Sequence, residues 1–374
     1  MPHSRSLLCC FEPPSYGGAA TSAYQLFREL HREMPVDYLS LVDRRLAAVT
    51  KRRWGDDYYN PEHLPGAHEY VIDAPTFKHQ AGLSELLHEL NPSLVVGIGY
   101  IAAYVAKKAR PDLPLILITT GCQQVKDGLS REAFETVGDL VSRDTAGPLY
   151  NDIEAKAFEL ADIVVTHSDL TSTLCRLYFP GYTSKFFSRV IWFYDWIHGS
   201  AARRAKASKP FESREIDLLF VASEWDRVEK NYPFVAALSE RFRDRNVHVV
   251  GNTEDGLPYA VHHGLLPNHR VLDMMGDTKV LVCPSRFDAA PGVLFEGAAL
   301  GCNLVASSNC GNYQLCHPHL LASRYTIDGF AECISKALER DYPSDTGHFS
   351  RQNCLQSLIE LLEQCHPGSV AWAT

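Results

Sequence analysis

The chain has 374 residues, more than the roughly 250 to 300 at which a single hydrophobic core stops growing, so two lobes are expected. Hydrophobic residues make up 45% and charged residues 22%, a globular balance that excludes a disordered or fibrous chain. Lys and Arg number 36 against 45 Asp and Glu, and the resulting charge of -9 argues against nucleic-acid binding as the main task.

From the amino terminus, short apolar runs alternate with helical patterns. SLLCCF, VDYLSLV, EYVID, SLVVGIGY, LPLILITTG and ADIVVTHS read as strands, and TSAYQLFRELHRE and GLSELLHEL as helices. Strands apolar on both faces belong in a parallel sheet covered by helices, so this half is expected to be a Rossmann-like lobe. Within it, segment 44–54 carries Arg44, Arg45, Lys51, Arg52 and Arg53 beside Trp54. That composition suits an anionic acceptor or peripheral membrane contact, and equally a solvated surface helix. Between Cys122 and Asp162 the alternation lapses into REAFETVGDLVSR and LYNDIEAKAFELA, either an acceptor-binding insertion or extra helical packing.

After RVIWFYDW the stretch HGSAARRAKASKPFESRE is polar, basic and aperiodic, which marks an interdomain linker with a boundary near Lys206. The alternation then restarts. IDLLFVAS, VHVVG, KVLVCPS and NLVAS read as strands, and YPFVAALSERF, GVLFEGAAL and GFAECISKALER as helices of a second Rossmann-like lobe. A last amphipathic pattern, SRQNCLQSLIELLEQC, is expected to pack back across the cleft. The expected domains are 1–205, 206–345 and a closing helix in 346–374. Two such α/β lobes make a cleft at their carboxyl-terminal strand edges, where open parallel sheets bind ligands.

Eleven cysteines with no CxxC pair, no signal peptide and no long apolar run point to reduced thiols in a cytoplasmic protein. Cys9, Cys10 and Cys283 sit in strand-like runs and read as small core residues. Cys316, His317 and His319, and the pair His262 and His263, lack the spacing of a tetrahedral site, so no structural metal is expected.

Chemistry concentrates in PSRFDAAPGVLFEGAALG, which follows the strand KVLVCPS. A turn is expected at Ala290 to Gly292 with a helix starting at Val293, and the free N–H groups at Gly292, Val293 and Leu294 with the positive end of the dipole suit a diphosphate. Gly292 permits close approach of the ligand to the backbone. Glu296 lies one turn in, within reach of ribose hydroxyls, and Asp288 precedes the turn and can meet hydroxyls on a group attached to the second phosphate. A helix cap and a solvated acid are the plainer explanations for these two carboxylates.

An acid, seven residues and a second acid in this setting resemble the signature of retaining glycosyltransferases of the GT-B fold, family 4 type. FEPPSYGGAATSAYQLFREL is similar to that family's amino-terminal glycine loop, SEWDRVEKN to its Arg and Lys segment, and GLLPNHRVLDMMGDTKVLVCPS to the stretch entering the acid motif. The resemblance implies two Rossmann-like lobes facing a central cleft, with the first choosing an acceptor and the second holding a UDP- or GDP-linked sugar. It assigns Arg227 and Lys230 to the diphosphate and its developing charge, Asp288 to the sugar, and Gly17 and Gly18 to the phosphates or the transferring sugar. Gly251 and Asn252 fall where the family usually meets the base. No cofactor or metal is required, because Arg227, Lys230 and helix N–H groups supply the positive field.

Two departures from the family pattern stand out. Asp288 replaces the usual Glu, and Thr119, Thr120 and Gly121 occupy the place where relatives often carry a histidine. His167, at the end of ADIVVTHS, either lines the cleft or is structural. The expectation is transfer of a hexose-type sugar, with retention, to a glycan, lipid, protein or small-molecule hydroxyl. An inactive nucleotide-sugar-binding scaffold and a GT-B epimerase or phosphorylase are the alternatives.

Overall fold

A computed structural model describes residues 5–11, 18–43, 65–72, 81–143, 152–188, 209–253, 256–344, 346 and 349–365. Gly17, the basic segment 44–54 and the linker around Lys206 lie outside these residues. The chain divides into two compact units, one of Met1–Gln123, Leu149–Trp192 and Gln352–Thr374, the other of Gln124–Pro148 and Phe193–Arg351.

The first unit is built on β1 (Ser6–Phe11), β2 (Val36–Asp43), β3 (Ala67–Ile72), β4 (Leu94–Ile98), β5 (Leu115–Ile118), β6 (Ile163–Thr166) and β7 (Phe186–Ser188). They form one parallel sheet in the order β3-β2-β1-β4-β5-β6-β7, with Leu8 of β1 opposite Tyr38 on one side and Val96 on the other. Leu7, Leu8 and Cys9 are fully buried, as the unbroken apolar run requires of a strand covered on both faces. The helices α1 (Gly18–Leu30), α2 (Ala81–Leu90) and α3 (Tyr100–Ala109) are crossovers between its strands. Next in the chain, α4 (Gln123–Ser130) and α5 (Val137–Arg143) fall almost wholly in the second unit, while α6 (Asp152–Leu160) and α7 (Asp169–Tyr178) return to the first.

The second unit repeats the plan with β8 (Ile216–Glu224), β9 (Val247–Asn252), β10 (Val261–His262), β11 (Thr278–Cys283), β12 (Asn303–Ser307) and β13 (Leu321–Ala322). Their order is β10-β9-β8-β11-β12-β13, all parallel. Helices α8 (Tyr232–Arg241), α9 (Asn268–Met275), α10 (Gly292–Ala299) and α11 (Ile327–Glu339) connect them, and α12 (Arg351–Cys365) groups with the first unit. In α11 the Thr326 side chain caps the start by accepting from the Gly329 N–H at 3.1 Å, and Phe330, Ile334 and Ala337 turn one stripe into the core.

Both sheets follow the doubly wound order in which the chain reverses direction beside its first strand. Those switch points lie between β1 and β4 and between β8 and β11.

Two polar side chains fasten the second sheet to its surroundings. Arg214 is buried without a carboxylate; its guanidinium donates to the carbonyls of Lys209, Thr278, Leu300 and Gly301 at 2.6–3.0 Å. Asn303 donates to the carbonyls of Ala337 and Arg340 and accepts the Tyr342 N–H at 2.7 Å, so a buried amide ties β12 to the end of α11.

Cys9, Cys10 and Cys283 are buried and in no disulfide, as are Cys122, Cys175, Cys302, Cys310, Cys316, Cys333 and Cys354. No helix among the described residues is long and apolar enough to cross a membrane. Among them no group of three or more His, Cys, Asp or Glu is placed to hold a metal ion.

Candidate functional site

The site is assembled where β8 and β11 end side by side, at the second unit's switch point. After β8, residues Val228–Lys230 make a single 3-10 turn, and Asn231 closes it in the left-handed conformation (φ 58°, ψ 58°), which Asn tolerates better than most residues. After β11 the chain runs through Pro284 to Pro291 into α10. The Lys230 Nζ is in direct ion-pair contact with Asp288 Oδ2, and both side chains are largely buried. Asp288 is pinned by its backbone as well: its N–H donates to Asn309 at 3.0 Å and its carbonyl accepts from Gly311 at 2.8 Å. Burial works against the Lys230 charge, yet its pKa stays above the usual value because Asp288 stabilises the ammonium.

Arg227 pairs with Glu229 through Nε at 2.9 Å and through a shorter Nη2 contact. The Glu229 carbonyl accepts the Arg286 N–H at 2.9 Å, and the Arg286 carbonyl in turn accepts the Val137 N–H of α5 at 3.3 Å. A second link runs through Tyr325, whose hydroxyl accepts from Asn231 Nδ2 at 2.8 Å and donates to the Pro284 carbonyl. The turn after β8 and the loop after β11 are therefore held to each other at several points.

Helix α10 begins at Gly292, one residue earlier than Val293, behind a Pro291 that offers no side-chain cap. The Leu294 N–H donates to the Pro291 carbonyl at 3.1 Å. No acceptor among the described residues meets the amides of Gly292 and Val293. A Cβ on Gly292 would touch nothing within 4 Å, so packing does not demand glycine there and the space over the first turn is open. Gly297, by contrast, lets α10 lie close on the sheet; a Cβ there would stand 2.5 Å from Leu281 Cδ2.

Glu296 is half-buried, and its Oε1 accepts from Asn268 Nδ2 of α9 at 2.8 Å. Burial pushes its carboxyl up to about 7, against the lowering effect of the Asn268 hydrogen bond. Gly251 and Asn252 separate in character. Gly251 has φ 130° and a Cβ there would meet the Ala222 carbonyl oxygen at 1.9 Å, so local packing accounts for it. Asn252 is exposed and donates to Glu224 Oε2 at 3.0 Å.

In the first unit Gly18 is the first residue of α1, which follows β1 at that unit's switch point. Thr119, Thr120 and Gly121 follow β5, with Thr119 and Gly121 buried. His167 is buried at the end of β6, and burial lowers its pKa to about 3, so it is neutral near pH 7. The other histidines singled out in the sequence are tied to neighbours. His263 is hydrogen-bonded to His248 at 2.9 Å, His262 Nε2 accepts the Leu257 N–H, and His317 accepts the His319 N–H.

Local sequence pointed to Asp288 and Glu296 and the family resemblance to Arg227 and Lys230, and all four lie in the second unit. Neither pointed to Glu229, Asn268 or Tyr325. Glu229 lay unremarked inside the motif, whereas Asn268 and Tyr325 reach the site from 28 residues before Glu296 and 94 after Asn231, with no local pattern to announce them.

No protein-family model matches the chain, and no curated protein sequence matches it. Solved structures do. Sucrose-phosphate synthase from Thermosynechococcus elongatus is similar over 96% of this chain and 98% of its own, with a TM-score of 0.67 and 16% identity. Anabaena HepE in complex with UDP-glucose is similar over 96% and 99%, with a TM-score of 0.58 and 14% identity. UDP-N-acetylglucosamine 2-epimerase from Rickettsia bellii is similar over 97% and 96%, with a TM-score of 0.59 and 8% identity. These likenesses establish the fold: two parallel, helix-flanked sheets of the GT-B type.

Proposed function

We propose that the chain is a retaining glycosyltransferase of the family 4 type, which moves a hexose-type sugar from a UDP- or GDP-linked donor to a hydroxyl acceptor. The observation that carries this reading is the convergence of Arg227, Lys230, Asp288 and the open first turn of α10 on the β8/β11 switch point. In this reading the donor diphosphate lies over the amides of Gly292 and Val293, with Arg227 and Lys230 as counter-charges, and Glu296 accepts from the ribose. Asn252 lies beside the base, the first unit carries the acceptor side, and Gly17 and Gly18 meet the phosphates or the transferring sugar.

As the bond from the anomeric carbon to the phosphate oxygen breaks, charge grows on the leaving diphosphate, and fixed cations aimed there lower the barrier. The acceptor oxygen bonds to the anomeric carbon on the face that the diphosphate leaves, and its proton passes to that diphosphate. This asks the protein for position more than for a base, which is compatible with Thr119 and Thr120 where relatives carry histidine. HepE binding UDP-glucose and an epimerase of UDP-N-acetylglucosamine sharing the fold both support a nucleotide-sugar ligand.

Thermal shift with UDP, GDP and ADP and their common sugar conjugates, on wild type and Glu296→Ala, tests the donor site by mass action. A nucleotide that stabilises wild type but not the variant supports it; equal stabilisation of both removes Glu296. With the base known, loss of donor sugar to an acceptor panel distinguishes transfer from epimerisation. Binding without turnover of the sugar returns the scaffold reading, which the Lys230–Asp288 pairing gives a specific basis by occupying both groups.

A further inference from the structure

Glu229 is a buried carboxylate that the transfer chemistry above leaves without a part. It sits between Arg227 and Lys230 in a single turn, with 8% of its side chain exposed against 43% for Arg227. An ion buried to this degree is expensive unless it is paired and hydrogen-bonded. Burial does raise the Glu229 carboxyl, but the charges of Arg227 and of Lys126 on α4 outweigh that and hold it below the ordinary carboxylate value. It is therefore ionised at neutral pH.

The geometry of the contact is directional. One carboxylate oxygen takes both Nε and Nη2 of Arg227, which fixes the plane and heading of a guanidinium whose side chain is otherwise nearly half exposed. The backbone that carries the carboxylate is anchored, because the Glu229 carbonyl accepts the Arg286 N–H, two residues before Asp288. The same turn thus carries Lys230 to Asp288 and Arg227 to Glu229, so both cations leave it in fixed directions.

Resting on the donor-site reading above, we propose that Glu229 is a positioning residue that holds the Arg227 guanidinium in the orientation that receives the donor diphosphate. Bare charge counting predicts the reverse of what positioning predicts. Glu229 is an anion beside the place where an anion binds, so its neutralisation should strengthen diphosphate binding if only charge mattered. If orientation matters more, its neutralisation should weaken that binding, because the Nε and Nη2 contacts that set the guanidinium's heading are weakened and more of its rotamers become accessible.

The experiment measures the affinity of the nucleoside diphosphate that wild type prefers, and of its nucleoside, in wild type, Glu229→Gln, Glu229→Asp, Arg227→Ala and the Glu229→Gln/Arg227→Ala double variant. Positioning predicts about tenfold weaker diphosphate binding in Glu229→Gln, unchanged nucleoside binding, an intermediate loss in Glu229→Asp and no further loss when Arg227 is already absent. Tighter binding, binding within twofold of wild type, or an equal loss with Arg227 removed would each overturn the proposal. Should Glu229→Gln fail to fold, the Glu229→Asp comparison decides on the same criteria. Wild type that binds none of UDP, GDP or ADP ends the donor-site reading itself, a result distinct from failure at Glu229.

Discussion

Lys230, in the turn after β8, and Asp288, in the loop after β11, form an ion pair, so the cation proposed for a diphosphate and the acid proposed for a sugar neutralise each other. On the proposed donor-site reading, binding exchanges partners, with Lys230 passing to phosphate and Asp288 to hydroxyls. Asp288→Asn should consequently bind the free nucleoside diphosphate several-fold more tightly than wild type while transferring sugar at least tenfold more slowly. Calorimetry with the diphosphate, set beside a turnover assay, reads both. Unchanged diphosphate affinity would mean that the pair does not open on binding.

Lys230→Met leaves Asp288 with no counter-ion in a mostly buried setting. Removing one partner of a buried pair costs about 3–5 kcal/mol, and the residual exposure here brings the expected loss down to about 1–2 kcal/mol. Urea unfolding of Lys230→Met and Asp288→Asn/Lys230→Met should show the double variant recovering part of that loss. A double variant less stable than the single would show that Asp288 has another stabilising partner.

Glu296 predicts a pH dependence of donor binding. A carboxyl titrating at about 7 is mostly ionised at pH 8 and mostly protonated at pH 6. If Glu296 accepts from the ribose as proposed, the ionised carboxylate is the better acceptor, so donor affinity should fall by up to about tenfold between those values. Glu296→Gln should flatten that dependence. Stability moves the opposite way: the folded state holds this proton more firmly than the unfolded chain, so stability declines as pH rises from the ordinary glutamate range through 7. Allowing for the exposed part of the side chain, Glu296→Gln should gain about 1 kcal/mol over wild type at pH 8 and nothing near pH 4.

His167 shapes the acid limb. Its pKa is lowered by burial, so below about 6.5 the unfolded chain takes up a proton that the folded chain refuses until about 3. Stability present above that window is lost as pH falls through it, by up to about 4 kcal/mol at pH 3. A His167→Asn variant should be less stable at pH 7 yet show a shallower decline between pH 6 and pH 4, followed by urea midpoints. An unchanged slope would place the acid sensitivity in other groups.

Arg214 should behave as a structural rivet with no bearing on ligand binding. Its four carbonyl acceptors are backbone groups of the second unit, and Arg214→Met leaves them without their donor, at a cost of about 2–4 kcal/mol. Nucleotide affinity at a temperature where the variant remains folded should match wild type. A selective loss of affinity would connect this clamp to the site.

Much of the fold was legible because long apolar runs such as SLLCCF and TKVLVC have one stable destination, a strand covered on both faces. The strands β7, β10 and β13 escaped because two or three residues carry no period; their pairing partners make them strands. At the site, Asp288 and Glu296 were visible through their spacing around a helix start. Asn268 was not, since its meeting with Glu296 depends on α9 and α10 lying side by side. Gly251 and Asn252, read as the start of a loop, are the last residues of β9, and the closeness of the Ala222 carbonyl to Gly251 could not be read from the sequence.

The polypeptide passes between its two compact units at four junctions, after Gln123, Pro148, Trp192 and Arg351. Neither unit is thus a single cassette. Recombination with another GT-B gene at one crossover near residue 206 would deliver a second unit lacking α5, and with it the Val137 amide that meets the Arg286 carbonyl. Gene fusions that exchange one unit for another would have to carry residues 124–148 along with the later half, so this short stretch is inherited with the second unit although it is encoded between segments of the first.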